Sequence, residues 1–60
     1  MEATTFFAAL KSIAVYMHSD NCMEPASYEL AWRELANEAK NTYPQVFDDE
    51  ELERIHKMDN

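Results

Sequence analysis

The chain has 60 residues, no glycine and a formal net charge of -7 from 12 acidic and 5 basic residues. Without glycine it lacks the positive-φ turns and phosphate-binding loops on which most small catalytic and nucleotide sites depend. Without a patch of Lys and Arg to neutralise phosphates, direct binding to nucleic acid is not expected. A chain this short buries only about 60% of the surface that its unfolded form exposes, so we expect a second copy or a partner to complete the core.

The sequence also lacks the disulfides and metal sites that usually stabilise a small domain. Cys22 is the single cysteine, and together with His18 and His56 it does not supply the four ligands of a structural zinc site. We therefore expect no metal and no cofactor. Glu2 stands where a secretory signal needs positive charge, and no apolar run approaches the roughly 20 residues of a membrane span. These features predict a cytoplasmic protein without a membrane partner.

The first predicted helix spans about residues 4–18, with Thr4 or Thr5 as its cap. Large apolar residues recur on one face at the spacing i, i+4, i+7 and i+11, namely Phe6, Leu10, Ile13 and Met17. Ala8, Val15 and Tyr16 lie off this face, so the helix is apolar nearly all round. Such a helix is usually buried on more than one side, which favours a second interface.

The second predicted helix spans about residues 25–43. Pro25 suits the first helical position, and Pro44 disfavours helical geometry at Tyr43 and so ends the helix. Its predicted core face comprises Tyr28, Ala31, Trp32, Leu35, Ala36, Ala39 and Tyr43. Leu30 lies on the opposite side, where it is either one isolated exposed apolar residue, as surfaces normally have, or part of an interface.

The third predicted helix spans about residues 49–57 and has the clearest start signal in the chain. Asp48 at the N-cap and Glu51 three residues later form a capping-box pattern, with Phe47 and Leu52 as the hydrophobic staple. Ion pairs at spacing i, i+4 are predicted for Glu29 with Arg33, Glu50 with Arg54, and Glu53 with Lys57.

Together these elements predict one all-α domain over residues 1–60. The expected fold is an antiparallel helical hairpin with a short third helix across its open end, completed by homodimerisation through the first helix. Tyr43 and Phe47 either cover that open end or anchor a partner, because aromatic side chains are favoured at interfaces. The apolar residues predicted to bind a partner or a second copy are Ala8, Val15, Tyr16, Leu30, Tyr43 and Phe47.

No pattern in the chain indicates catalysis. His18 and Cys22 are four residues apart, but the polar residues between them predict a break in the helix, and no further ligands follow. A nucleophilic cysteine would need a positioned base and an oxyanion hole, for which a helical hairpin offers little room. We predict that the protein is not an enzyme. A metal- or thiol-dependent activity would require Cys22.

The acidic charge is concentrated in the second half, since residues 1–23 have a net charge of -1 and residues 24–60 a net charge of -6. The densest run, predicted to contact a partner, comprises Asp48, Asp49, Glu50, Glu51 and Glu53. Such a run either keeps a small protein soluble or steers it onto a basic partner. The leading hypothesis is therefore a regulator or inhibitor that binds a larger basic or nucleic-acid-handling protein, as phage- or plasmid-encoded inhibitors do. The alternative is a structural or assembly module whose homodimeric interface is itself the function.

Overall fold

The computed structural model describes residues 2–20 and 23–58, and every regular element in these ranges is an α-helix. Helix α1 is Ala3–Met17, α2 is Pro25–Thr42 and α3 is Asp49–His56. Each helix ends one residue earlier than predicted, and α1 also begins one residue earlier. The all-α class and the antiparallel packing of α1 on α2 agree with the sequence prediction.

The start of α1 differs from the predicted threonine cap. Glu2 is the N-cap, and its side chain makes no capping hydrogen bond; its carbonyl oxygen accepts from the Phe6 amide at 3.0 Å. Thr4 and Thr5 lie inside the first turn, because the helix begins at Ala3. The buried stripe is Phe6, Leu10 and Ala14, narrower than the sequence spacing predicts.

Helix α2 begins and ends at its two prolines, as expected. Pro25 occupies the first turn, and Tyr43 before Pro44 is the C-cap with a non-helical backbone. The connection to α3 then closes without glycine, since the amides of Val46 and Phe47 both donate to the Tyr43 carbonyl at 3.0 and 2.9 Å. No residue in the described ranges has a positive φ. The turns in these ranges therefore use backbone conformations that any residue type can adopt.

Helix α3 starts at the predicted cap. The Asp48 carboxylate accepts a hydrogen bond from the Glu51 amide at 2.8 Å. In a full capping box the Glu51 carboxylate would also accept from the Asp48 amide. Here that carboxylate binds Arg54 instead. Phe47 is buried and Leu52 is half-buried, and both contact the core. Their placement fits the hydrophobic staple that fixes the entry of the chain into α3.

The core lies where the three helices meet, and it consists of Phe6, Leu10, Ala14, Trp32, Ala36, Ala39, Phe47 and Ile55. All of its members are apolar, and the described ranges contain no buried charged or polar side chain. Three of the eight, Ala14 on α1 and Ala36 and Ala39 on α2, are alanines with small side chains at the contact between the helices. The large rings of Phe6 and Phe47 meet edge to face, with centroids 6.1 Å apart.

The position of α3 corrects the sequence prediction. At its start, Phe47 packs on Phe6 near the open end of the hairpin. At its end, His56 reaches His18, which follows α1 beside the connection to α2. Helix α3 therefore runs along the hairpin in the direction of α1, and does not cross the open end. Burial of Ile55, on the inner face of α3, in the core stabilises this placement.

Candidate functional site

The acidic run at the start of α3 is largely paired within the chain. Lys40 from α2 forms an ion pair with Asp49, and Lys57 pairs with Glu53 at 3.0 Å. Asp48 is occupied by its capping hydrogen bond. Glu50 is the member of the run without an ion pair or hydrogen bond to another described residue. These pairs reduce the field that the run presents to a partner, so it is a weaker candidate surface than its composition indicates.

Arg54 binds Glu51 through two parallel hydrogen bonds. Its Nε and Nη2 donate to the two carboxylate oxygens of Glu51, each at 2.8 Å. This bidentate hydrogen bonding, together with the positive charge of Arg54, holds the pKa of the Glu51 carboxyl below its ordinary value of 4.5. The same contact raises the pKa of the Arg54 guanidinium. The predicted pair of Arg54 with Glu50 is thus replaced by a pair at spacing i, i+3.

A second predicted pair is also replaced. Glu29 on α2 contacts the His56 ring, with Oε2 and Nε2 3.3 Å apart, where the sequence predicted a pair with Arg33. The third predicted pair, Glu53 with Lys57, is confirmed. Helical spacing alone therefore predicted one of the three ion pairs correctly. That pair, Glu53 with Lys57, involves neither a second helix nor a second carboxylate.

The outward side of α2 carries acidic groups that have no such compensation. Glu34 and Glu38 are exposed and lie four residues apart on one face of the helix, and neither forms an ion pair with a described residue. Leu30, four residues before Glu34, is 54% exposed on the same face. We call Leu30, Glu34 and Glu38 the α2 outer face. It joins an exposed apolar side chain to two unpaired carboxylates on a rigid helix.

The outward side of α1 carries three of the predicted apolar residues. Ala8 is exposed, Val15 is half-buried and Tyr16 is 36% exposed. The Tyr16 ring stacks at a tilt on Tyr28 of α2, with ring centroids 4.5 Å apart. Ala8, Val15 and Tyr16 line one open depression of about 880 Å³ on the surface of α1. The structure therefore places these three residues on one surface of α1.

Phe47 lies in the core, and Tyr43 packs beside it. Phe47 is 1% exposed, and Tyr43 is half-buried against the core. The Tyr43 ring lies edge-on to Phe6 and Phe47, with centroids 6.0 and 6.4 Å apart. Burial removes the Phe47 side chain from any partner surface, so of the two alternatives the structure favours the one in which this pair covers the end of the hairpin.

Sequence reasoning missed a junction of two histidines at the other end. His18 Nε2 donates to the carbonyl oxygen of His56 at 2.8 Å, and the His56 ring lies edge-on to Trp32. The two histidines are 38 residues apart, so no local pattern could join them. The only signal was their placement near the ends of two predicted helices, where unsatisfied carbonyl groups attract donors.

Within residues 2–20 and 23–58, no three His, Asp or Glu side chains are grouped closely enough to hold a metal ion. Cys22, on which a metal- or thiol-dependent activity would depend, lies outside the described residues, as does Asn21. None of the helices in the described ranges combines the length and apolar character that crossing a membrane requires.

Comparison with known proteins leaves these surfaces as the basis for functional inference. No protein-family model and no curated protein matches the sequence, and no solved structure matches the fold.

Proposed function

We propose that the protein is a small regulator or inhibitor that binds a larger, basic protein and acts by covering part of its surface. The α2 outer face is the proposed contact. The observation that carries the proposal is the distribution of ion pairs, because Asp49, Glu51 and Glu53 on α3 are paired within the chain whereas Glu34 and Glu38 on α2 are not. The mechanism needs no chemistry and no cofactor.

The spacing of the two carboxylates supports this contact. Like charges at spacing i, i+4 destabilise a helix by roughly 0.2–0.5 kcal/mol. A basic partner placed against Glu34 and Glu38 would add attraction to both carboxylates that offsets their repulsion, and would therefore gain binding free energy. The net charge of -7 adds long-range attraction, which chiefly raises the rate of association with a basic surface.

Leu30 supplies the apolar part of the contact. Its side chain is 54% exposed beside the carboxylates, so a partner could bury it at the centre of a polar rim, as in many transient interfaces. A target that itself binds nucleic acid would present the required basic groove, and the acidic helix would occupy it in place of phosphate.

The experiment compares two variants of equal charge. Proteins retained on the immobilised chain at low salt are identified, and the association rate of each purified candidate is measured against salt. E34Q/E38Q removes two unpaired carboxylates, and D49N/E53Q removes two paired ones. We expect E34Q/E38Q to slow association several-fold at low salt and D49N/E53Q to slow it less, because only the first pair faces solvent uncompensated.

L30A should increase the dissociation rate without changing the salt dependence, since it removes apolar contact and no charge. The proposal fails if both double variants associate at the wild-type rate, or if they slow association equally. If both variants associate at the wild-type rate, electrostatic steering by these carboxylates does not occur. If both are slowed equally, the effect comes from the net charge of the molecule and not from the α2 outer face.

A further inference from the structure

The outward side of α1 differs from the rest of the molecule in its charge. The residues that line its depression include one basic and one acidic side chain, Lys11 and Asp20, together with small, apolar and neutral polar residues. One positive and one negative group make this surface locally neutral in a chain whose net charge is -7. Two copies of such a chain repel each other, so a neutral surface is where they can approach most closely.

Lys11 and Asp20 lie on either side of Val15 and Tyr16 in the sequence, Lys11 within α1 and Asp20 in the turn that follows Met17. Lys11 lies four residues before Val15, and Asp20 lies four residues after Tyr16. Both side chains are exposed, and neither forms an ion pair with another residue in the described ranges. A two-fold axis passing between Val15 and Tyr16 would therefore bring Lys11 of each copy opposite Asp20 of the other.

We propose that this surface is a self-complementary interface in which two copies of the chain pack α1 against α1 in antiparallel orientation. In a two-fold interface, a contact of residue i with residue j is always repeated as j with i. The Lys11–Asp20 contact is thus made twice, and Val15 and Tyr16 meet their own counterparts at the axis. This inference is independent of the proposed function, which depends on the opposite side of the hairpin.

The Tyr16 side chain is preorganised for a position at the centre of such an interface. Its ring is held against Tyr28 by the tilted stack with centroids 4.5 Å apart, so less side-chain entropy is lost when a second copy covers it. Ala8 and Ser12 on the same side of α1 are small, which allows the backbone of a second helix to approach closely. The depression of about 880 Å³ is open enough to receive side chains from a facing helix.

The size of the protein limits the strength of this dimer. A standard interface covers roughly 800 Å² of each partner, which is about a fifth of the 4307 Å² surface of this chain. One face of one helix provides less than that. We therefore expect a dimer that dissociates on dilution, and sedimentation equilibrium over a wide concentration range at low salt measures its dissociation constant.

Charge exchange tests the pairing itself. K11E and D20K should each raise the dissociation constant about fivefold or more, because both copies of the ion pair are replaced by like charges. The double variant K11E/D20K keeps the net charge of the wild type and should restore the dimer. R33E is the matched control for K11E, since it changes the charge equally on an exposed α2 residue without an ion pair to a described residue, and it should alter the constant less than about twofold.

Circular dichroism measures the helix content of each variant, which separates loss of the dimer from loss of the fold. A wild-type chain that remains monomeric at every concentration would overturn the proposal and leave the surface to a different partner. Equal weakening by K11E and R33E would also overturn it, as would a double variant that fails to recover. If K11E is monomeric yet still binds the partner of the α2 outer face, the dimer is not required for that binding.

Discussion

The imidazole of His56 lies edge-on to the indole of Trp32, with the ring centroids 5.0 Å apart and the planes at 67°. This contact ties the last residue of α3 to the middle of α2. His56 also contacts Glu29 through Nε2, and its carbonyl oxygen accepts a hydrogen bond from His18 Nε2. One residue therefore touches both helices of the hairpin, and we expect it to hold the end of α3 in place.

Replacement of His56 should loosen α3 without unfolding the hairpin. We expect H56A to lower the free energy of unfolding by about 0.5–1.5 kcal/mol, the usual worth of an aromatic pair beyond its buried area. Urea denaturation followed by circular dichroism measures it. H56F keeps the ring against Trp32 and loses the Glu29 contact, so it should retain more stability than H56A.

Lys57 provides the control for this prediction. It is adjacent to His56, and its exposed ion pair with Glu53 should contribute little, so K57A should change stability by less than about 0.5 kcal/mol. An H56A protein as stable as K57A would show that the ring contact does not secure α3. Trp32 is the single tryptophan, so its fluorescence reports the loss of the His56 ring directly.

Phe47 tests whether the connection between α2 and α3 belongs to the core. Its ring is 1% exposed and meets Phe6, so F47A should cost about 3–5 kcal/mol. A 60-residue domain has only roughly 3–9 kcal/mol of total stability, and we therefore expect F47A to lose cooperative thermal unfolding. The neighbouring Val46 is 49% exposed, and V46A should leave the transition within a few degrees of the wild type. If F47A folded normally but no longer bound a partner, Phe47 would belong to the partner interface and not to the core.

The sequence predicted most of this fold because its signals are local. Pro25 and Pro44 mark the ends of α2, and Asp48 marks the start of α3, since each acts on the backbone of its own turn. The direction of α3 was not predictable in the same way. It depends on where Ile55 and His56 find neighbours on other helices, and periodicity gives the face of a helix but not its partner.

The candidate surfaces show the same limit. The sequence located the acidic run of α3, but the ion pair of Lys40 with Asp49 joins two helices and is invisible to helical spacing. Likewise, Arg54 had carboxylates at both spacing i, i+3 and i, i+4, and the structure selects Glu51. The ion pairs within α3 and between α2 and α3 determine which carboxylates remain without a partner, and composition alone does not show them.

The N-cap of α3 should contribute measurably to stability. Asp48 accepts the Glu51 amide at 2.8 Å, and replacing such a cap by alanine costs about 1 kcal/mol. We expect D48A to lower the thermal midpoint and to speed hydrogen exchange at the Glu51 amide. Asparagine caps about as well as aspartate, so D48N should restore both. If D48N behaved like D48A, the charge of Asp48 near the helix N-terminus, and not its hydrogen bond, would be the source of stability.

The Glu51–Arg54 pair should give the protein a pH-dependent contribution to stability. The hydrogen bonds from Arg54 lower the pKa of the folded Glu51 carboxyl below 4.5, so the folded state binds that proton less readily than the unfolded state. The pair therefore stabilises the fold above this pH, and its contribution is lost as the pH falls from the unfolded to the folded value of the pKa. NMR titration of the Glu51 side chain measures the folded value, which should rise toward 4.5 in R54Q. K57Q, which removes the neighbouring cation bound to Glu53, should leave the Glu51 titration nearly unchanged. An unchanged Glu51 titration in R54Q would mean that the bidentate contact does not persist in solution, and the stability of R54Q would then follow the wild-type pH profile.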